Sequence, residues 1–255
     1  MEKIITTLDA RGTGTILLNR YDKMNAVTRE MCEGLLKAVL DFKANPNLKC
    51  LVITGAGQQS FCAGGDLLEL HGDLTEEEAY TRLIPMKQVL YELAVFPLPT
   101  YAFLNGDARG GGCEIATACD FRYGKHDGKY GFIQGKLGIT PGWGGGELLY
   151  RKISADRAAH WLMDSEMYDS ERAYQIGWLH KIVAKEHLTP DYLLSPFLEK
   201  TQTQLKIFKS QLLRSLPFTD LSKEMDEEVR RCASLWESEE HIKAVKNFIR
   251  TRKKS

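Results

Sequence analysis

Hydrophobic and polar positions along the chain change period several times, and each change marks an expected element. Two β-branched runs, Lys3 to Leu8 and Thr13 to Leu18, flank Arg11-Gly12 and read as a hairpin. Thr28 stands where a helix N-cap is expected. The apolar spacing after it predicts a helix to about Phe42, broken by Asn45-Pro46-Asn47. Lys49 to Thr54 is a short apolar run suited to a parallel strand buried on both faces. A helical pattern follows from about Thr75 to Phe96 and ends at Pro97 and Pro99. A strand is expected over Thr100 to Leu104, a helix over Cys113 to Cys119, and short strands at Phe121 to Tyr123 and Tyr130 to Phe132. Strands alternating with helices imply βαβ units, a mostly parallel sheet and an α/β fold. From about Asp191 the pattern is helix upon helix, which predicts a helical appendage.

Composition narrows the classes. The chain has 255 residues, enough for one large α/β domain with its own core. A formal net charge of zero argues against a nucleic-acid partner, which calls for a basic excess. No apolar run approaches the roughly 18 to 20 residues that span a bilayer. The opening Met-Glu-Lys-Ile-Ile-Thr-Thr has no apolar signal core. Cys32, Cys50, Cys62, Cys113, Cys119 and Cys232 lack paired spacing, so free thiols in a reducing cytoplasm are expected. The histidines show no ligand spacing, and no metal is expected.

Chemistry enters with three Gly-rich stretches: Phe61-Cys-Ala-Gly-Gly-Asp-Leu67, Gly110-Gly-Gly-Cys-Glu114 and Pro141-Gly-Trp-Gly-Gly145. Glycine lets a ligand approach the backbone closely. A helix N-terminus adds free N–H groups and partial positive charge. Two such loops facing one cavity supply the converging N–H donors that an oxyanion requires. None of the three matches a phosphate-binding GxxxxGK[ST] loop or a GxGxxG fingerprint.

The order of motifs is more telling. Asn19-Arg20, Asn25-Ala26, Val52-Ile-Thr-Gly-Ala-Gly57, the three glycine stretches, Asn105-Gly106, Ala118-Cys-Asp-Phe-Arg122 and Leu137-Gly-Ile-Thr-Pro-Gly142 together resemble the enoyl-CoA hydratase/isomerase family, the crotonase superfamily. The resemblance covers roughly residues 2 to 190. It implies a crotonase-type ββα superhelix, with residues 1–190 as the acyl-CoA-binding core and residues 191–255 as a helical region that assembles trimers or hexamers. It implies that Gly65 and Gly111 supply the oxyanion-hole N–H groups. Gly65, Asp66, Leu67 and Leu68 then lie along the thioester and pantetheine arm, and Ala63 lies near the adenine pocket. Glu114 matches one of the hydratase's two acid/base glutamates. Coenzyme A is part of the substrate, so no separate cofactor is implied.

Two positions depart from that pattern. Gln134 occupies the place of the second glutamate. A carboxamide donates and accepts hydrogen bonds but exchanges no proton near neutral pH. Trp143 replaces a small residue, and with Thr117-Ala-Cys-Asp-Phe-Arg122 it looks like the ethylmalonyl-CoA decarboxylase branch, as an acyl-pocket wall or as core filler. The expected function is a CoA-thioester lyase working through a stabilised enolate, leaning to decarboxylation of a malonyl-type thioester. Hydration on Glu114 alone and a catalytically silent acyl-CoA-binding scaffold stand as alternatives. A side chain at Gly111 is expected to intrude where the thioester oxygen sits while leaving the fold intact. The apolar residues of the tail (Leu193, Leu194, Phe197, Leu198, Leu205, Ile207, Phe208) are expected to be covered by neighbouring subunits.

Overall fold

The two β-branched runs at the start of the chain pair as expected. In the structure, a computed structural model describing residues 2–70 and 74–252, β1 (Ile4–Leu8) runs antiparallel to β2 (Thr13–Leu18), with Ile4 opposite Leu18. α1 (Arg29–Ala44) starts where the Thr28 hydroxyl accepts the Met31 N–H, and it buries Met31, Leu35, Val39 and Phe42 along one face.

A three-part unit then repeats. β3 (Cys50–Gly55) leads through β4 (Ser60–Cys62) to the short α2 (Leu67–Leu70) and the long α3 (Glu76–Ala94). β5 (Thr100–Leu104), β6 (Asp107–Arg109) and α4 (Gly111–Ala118) repeat the order, as do β7 (Phe121–Lys125), β8 (Lys129–Gly131) and α5 (Gly145–Lys152). The long strands build one sheet and the short strands another. After α6 (Ala155–Asp164), β9 (Tyr168–Asp169) and α7 (Ser170–Gln175), β10 (Lys181–Val183) completes the first sheet. Its order is β1-β2-β3-β5-β7-β10, parallel except at β1, and the second sheet reads β4-β6-β8-β9. The sequence pattern did not anticipate β4, β6, β9 or β10. Strands of two or three residues are too short for alternation to register.

α8 (Pro190–Leu198), α9 (Gln202–Ser215), α10 (Leu221–Ser234) and α11 (Glu239–Arg252) complete the chain. These helices do not stand apart from the core. Leu193, Leu194 and Leu198 join Val52, Tyr101, Phe103 and Tyr123 in a cluster beneath the main sheet. Leu205 joins the central core, and α10 packs on α3 and α5. The expectation that these leucines need a neighbouring subunit is therefore corrected: the chain's own sheet covers them. Ile207 and Phe208 remain 53% and 56% exposed.

An ion pair fastens α9. Lys209 Nζ lies 2.5 and 2.6 Å from the two oxygens of Asp120, and both side chains are buried. Asp120 also accepts the Thr100 N–H and hydroxyl, tying the tail to β5. Lys152 Nζ also lies 3.8 Å from Asp120, so removing Lys209 leaves the carboxylate one longer contact, which places the loss at the lower end of the roughly 3–5 kcal/mol for breaking a buried pair. Lys209→Met is therefore expected to lower unfolding free energy by about 3 kcal/mol in urea titrations. A loss near the about 0.5 kcal/mol of a surface pair would contradict the burial seen here.

Candidate active site

The first two glycine loops touch. Gly64 has φ +91°, and a Cβ there would lie 3.0 Å from the Gly111 nitrogen. Gly65 forms an isolated parallel bridge with Val27. The bridge bonds run from Val27 N–H to Gly64 C=O and from Asp66 N–H to Val27 C=O, at 2.8 and 2.9 Å. In a parallel bridge of this kind the central residue's own N–H points away from its partner. Gly110, at φ +52°, turns the chain into α4, whose first residue is Gly111. A first-turn N–H has no acceptor within its own helix. Two such N–H groups, on Gly65 and Gly111, thus sit on adjoining loops.

The neighbours of Gly65 have definite partners. The Asp66 carboxylate is held by Arg20 at 2.5 Å, and Arg20 also donates to Ala26 C=O. Ala63 donates its N–H to Met24 C=O at 3.0 Å. Leu67 opens α2 and Leu68 follows it, the Leu68 side chain lying outside the described residues.

Trp143 closes the other side. It is buried, and a Cβ built on Gly111 would lie 2.1 Å from its Cζ3. The indole therefore rests on the Gly111 α-carbon. This corrects the expectation that a side chain at Gly111 would leave the fold intact, because it would strike the indole.

Glu114, in the first turn of α4, is 2% exposed. Its Oε2 accepts the N–H groups of Trp143 and Gly145 at 2.9 and 3.0 Å, and its Oε1 accepts Gln134 Nε2 at 2.8 Å. Burial pushes the carboxyl's pKa up, while the N–H groups of Trp143, Gly145 and Gly142 and the Gln134 amide pull it back. Gln134 is also buried, and its Oε1 has no hydrogen-bond partner among the described residues. A buried acceptor without a donor costs about 1–3 kcal/mol, so it marks a place where a ligand hydroxyl or water is favoured.

The structure thus brings Gly65, Gly111, Glu114, Gln134 and Trp143 into one contiguous group. It adds one residue that sequence reasoning missed. Glu228, on α10, accepts the N–H groups of Gly146 and Glu147 at 3.3 and 2.6 Å. Its amphipathic helix carries many charges, and nothing in their spacing singles out Glu228. Two surface clefts, of about 400 and 320 Å³, lie elsewhere, beside α6–α7 and between Tyr21 and Ser60.

Comparison with known proteins places this arrangement. Residues 10–255 match the model of the enoyl-CoA hydratase/isomerase family. The chain belongs to that family. It is 29% identical over 93% of its length to 92% of the crotonyl-CoA hydratase of Syntrophomonas wolfei. It is 33% identical over 80% of its length to 67% of the ethylmalonyl-CoA decarboxylase of Rattus norvegicus. A crystal structure of an enoyl-CoA hydratase from Mycobacterium avium subsp. paratuberculosis superimposes with a TM-score of 0.85 at 20% identity, covering 98% of this chain and 96% of that one. The chain is thus a crotonase-family enzyme with the crotonase fold. Among the described residues no helix is long and apolar enough to cross a membrane.

The indole over Gly111 gives a direct test of packing. Gly111→Ala is expected to cost about 1–3 kcal/mol of stability through overpacking. In a Trp143→Leu background the same substitution should cost measurably less, because contacting residues are not additive. Equal costs in the two backgrounds, read by chemical denaturation, would place the indole away from Gly111.

Proposed function

We propose that this crotonase-family enzyme is a lyase that decarboxylates a short malonyl-type acyl-CoA. The thioester oxygen sits between the N–H groups of Gly65 and Gly111. The bond from the α-carbon to the carboxylate breaks, CO₂ leaves, and the electron pair becomes an enolate whose oxygen those N–H groups stabilise. One donor of this type is worth about 100- to 1,000-fold in rate. A single proton from solvent, relayed by a water held at Gln134 Oε1, then goes to the α-carbon. Trp143 keeps the acyl side short and apolar.

The observation that carries this reading is the Gln134 amide bonded to Glu114 at 2.8 Å. Hydration uses one group to activate water and another to protonate the α-carbon. A carboxamide at position 134 leaves only Glu114 to exchange a proton there. Decarboxylation needs one proton delivered and no pair of bases. The ionised form of Glu114 would repel a substrate carboxylate, but both its oxygens are turned into hydrogen bonds, which draws the charge toward α5. The 33% identity to the rat ethylmalonyl-CoA decarboxylase supports the same branch. Hydration on Glu114 alone is the second reading, favoured by the alignment with the Syntrophomonas crotonyl-CoA hydratase over 93% of the chain.

Steady-state assays of crotonyl-CoA hydration and of ethylmalonyl- and methylmalonyl-CoA decarboxylation separate the two. Wild type should release CO₂ and hydrate poorly. Gln134→Glu should raise hydration by about 100-fold, the lower end for a restored acid/base group. It should depress decarboxylation by about tenfold or more, because a second carboxylate faces the substrate's own. Efficient hydration by wild type with no CO₂ release overturns the reading.

We further propose that the protein is a homotrimer or homohexamer, with Ile207 and Phe208 of α9 in the contact. Light scattering should then give a multiple of the 28.8 kDa chain mass, and a monomer mass would refute it.

A further inference from the structure

The start of α5 holds two carboxylates that arrive from opposite directions. Glu114 comes from α4 and takes the N–H groups of Trp143 and Gly145. Glu228 comes from α10 and takes those of Gly146 and Glu147. Both pack directly on the glycine backbone. A Cβ on Gly145 would lie 2.3 Å from Glu114 Cγ, and one on Gly146 would lie 2.8 Å from Glu228 Oε2.

The surroundings do not neutralise this pair. Among the described residues no cation lies within ion-pair distance of either carboxylate. The titratable groups that interact with Glu228 are Glu114 on α4, Glu147 on α5 and Cys232 on its own helix; the nearby cations Arg151 on α5 and Lys87 on α3 have other partners. Arg151 is already paired with Glu147 and Glu224, and Lys87 with Asp226. Two carboxyl groups therefore share one helix dipole, and each disfavours the ionisation of the other.

We propose that Glu228 is a positioning residue which, through its own proton, sets the total charge of the carboxyl pair behind the reacting centre. The proposal rests on the reading that Glu114 acts there. Glu114 has three hydrogen-bond donors and Glu228 has two, so the negative charge settles on Glu114 and the proton on Glu228. Glu228 is half-buried by its surface exposure; loss of water around its carboxyl, and then the Glu114 charge, push its pKa up to about 8. Near neutrality the pair carries one negative charge. As the pH passes about 8, Glu228 ionises and a second charge appears behind the site. That charge opposes an anionic substrate.

The test has two arms on the full-length protein. The first is kcat/KM against pH for wild type and Glu228→Gln. Wild type should lose activity above pH 8, approaching tenfold per pH unit as a single ionisation dictates, and the variant should lack that break. An alkaline limb unchanged in Glu228→Gln overturns the proposal.

The second arm is the thermal midpoint against pH and needs no turnover. A carboxyl raised from 4.5 to about 8 on folding adds stability that is full below pH 4.5, declines above it, and is gone once the pH exceeds about 8. Wild type should therefore lose several degrees more than Glu228→Gln across that window. Parallel curves overturn the proposal. If Glu228→Gln does not fold, Glu114→Gln serves, because removing the neighbouring charge should shrink the same decline. If no thioester is turned over at all, the functional reading fails, and the Glu114→Gln stability curve still decides whether the two carboxyl groups are linked: a decline as steep as in wild type overturns the proposal.

Discussion

A carboxylate buried with no cation beside it among the described residues is the constraint on which this site is built. Glu114 is 2% exposed, and an ionised group in such a place is tolerated only when hydrogen bonds replace its water. Three of those bonds come from Trp143 N–H, Gly145 N–H and the Gln134 amide. Meeting them fixes much else. The chain from Gly142 to Gly146 has to approach Glu114, Met225 and Cys232 so closely that side chains at Gly142, Gly144 and Gly145 would collide with them. The same approach lays Trp143 across Gly111. The site, the third glycine cluster and the packing of α10 are consequences of holding one charge.

The second sheet explains why three loops distant in sequence become neighbours. β4, β6 and β8 pair side by side, Cys62 with Ala108 and Arg109 with Gly131. β4 and β6 run directly into their glycine loops, and β8 precedes the third with one 3-10 turn, Ile133–Leu137, between them. Parallel registration therefore brings the loop ends to one edge, where the first N–H of α4 meets the bridge at Gly65. A fold whose repeating unit is strand, short strand and helix stacks its helix starts together, and helix starts offer N–H groups to negative charge. Enolate stabilisation is the chemistry such an edge suits.

The exchange of a glutamate for Gln134 matters because of which atoms remain. The amide uses Nε2 on Glu114 and leaves Oε1 without a donor among the described residues. A carboxylate in the same place would instead add a further titrating group to a region where Glu114 and Glu228 already occupy the N–H groups at the start of α5. Glutamine keeps the shape of the site while removing one titrating group from it.

The sequence by itself determined whatever depends on near neighbours in the chain. The hairpin about Gly12, the helix after the Thr28 cap, the buried strand at Cys50–Gly55 and the helix from Glu76 are local in origin, because period and capping act within a few residues. The family motif also placed Gly65, Gly111, Glu114, Gln134 and Trp143 together before any coordinates. Only the tertiary structure decided the rest. It formed the two- and three-residue strands, whose hydrogen bonds come from distant partners. It laid the indole on Gly111, brought Glu228 from α10 to the start of α5, and covered the leucines of α8 with the chain's own sheet. Periodicity tells which face of a helix is apolar, but the surface that covers that face is chosen by contacts between residues far apart in the chain.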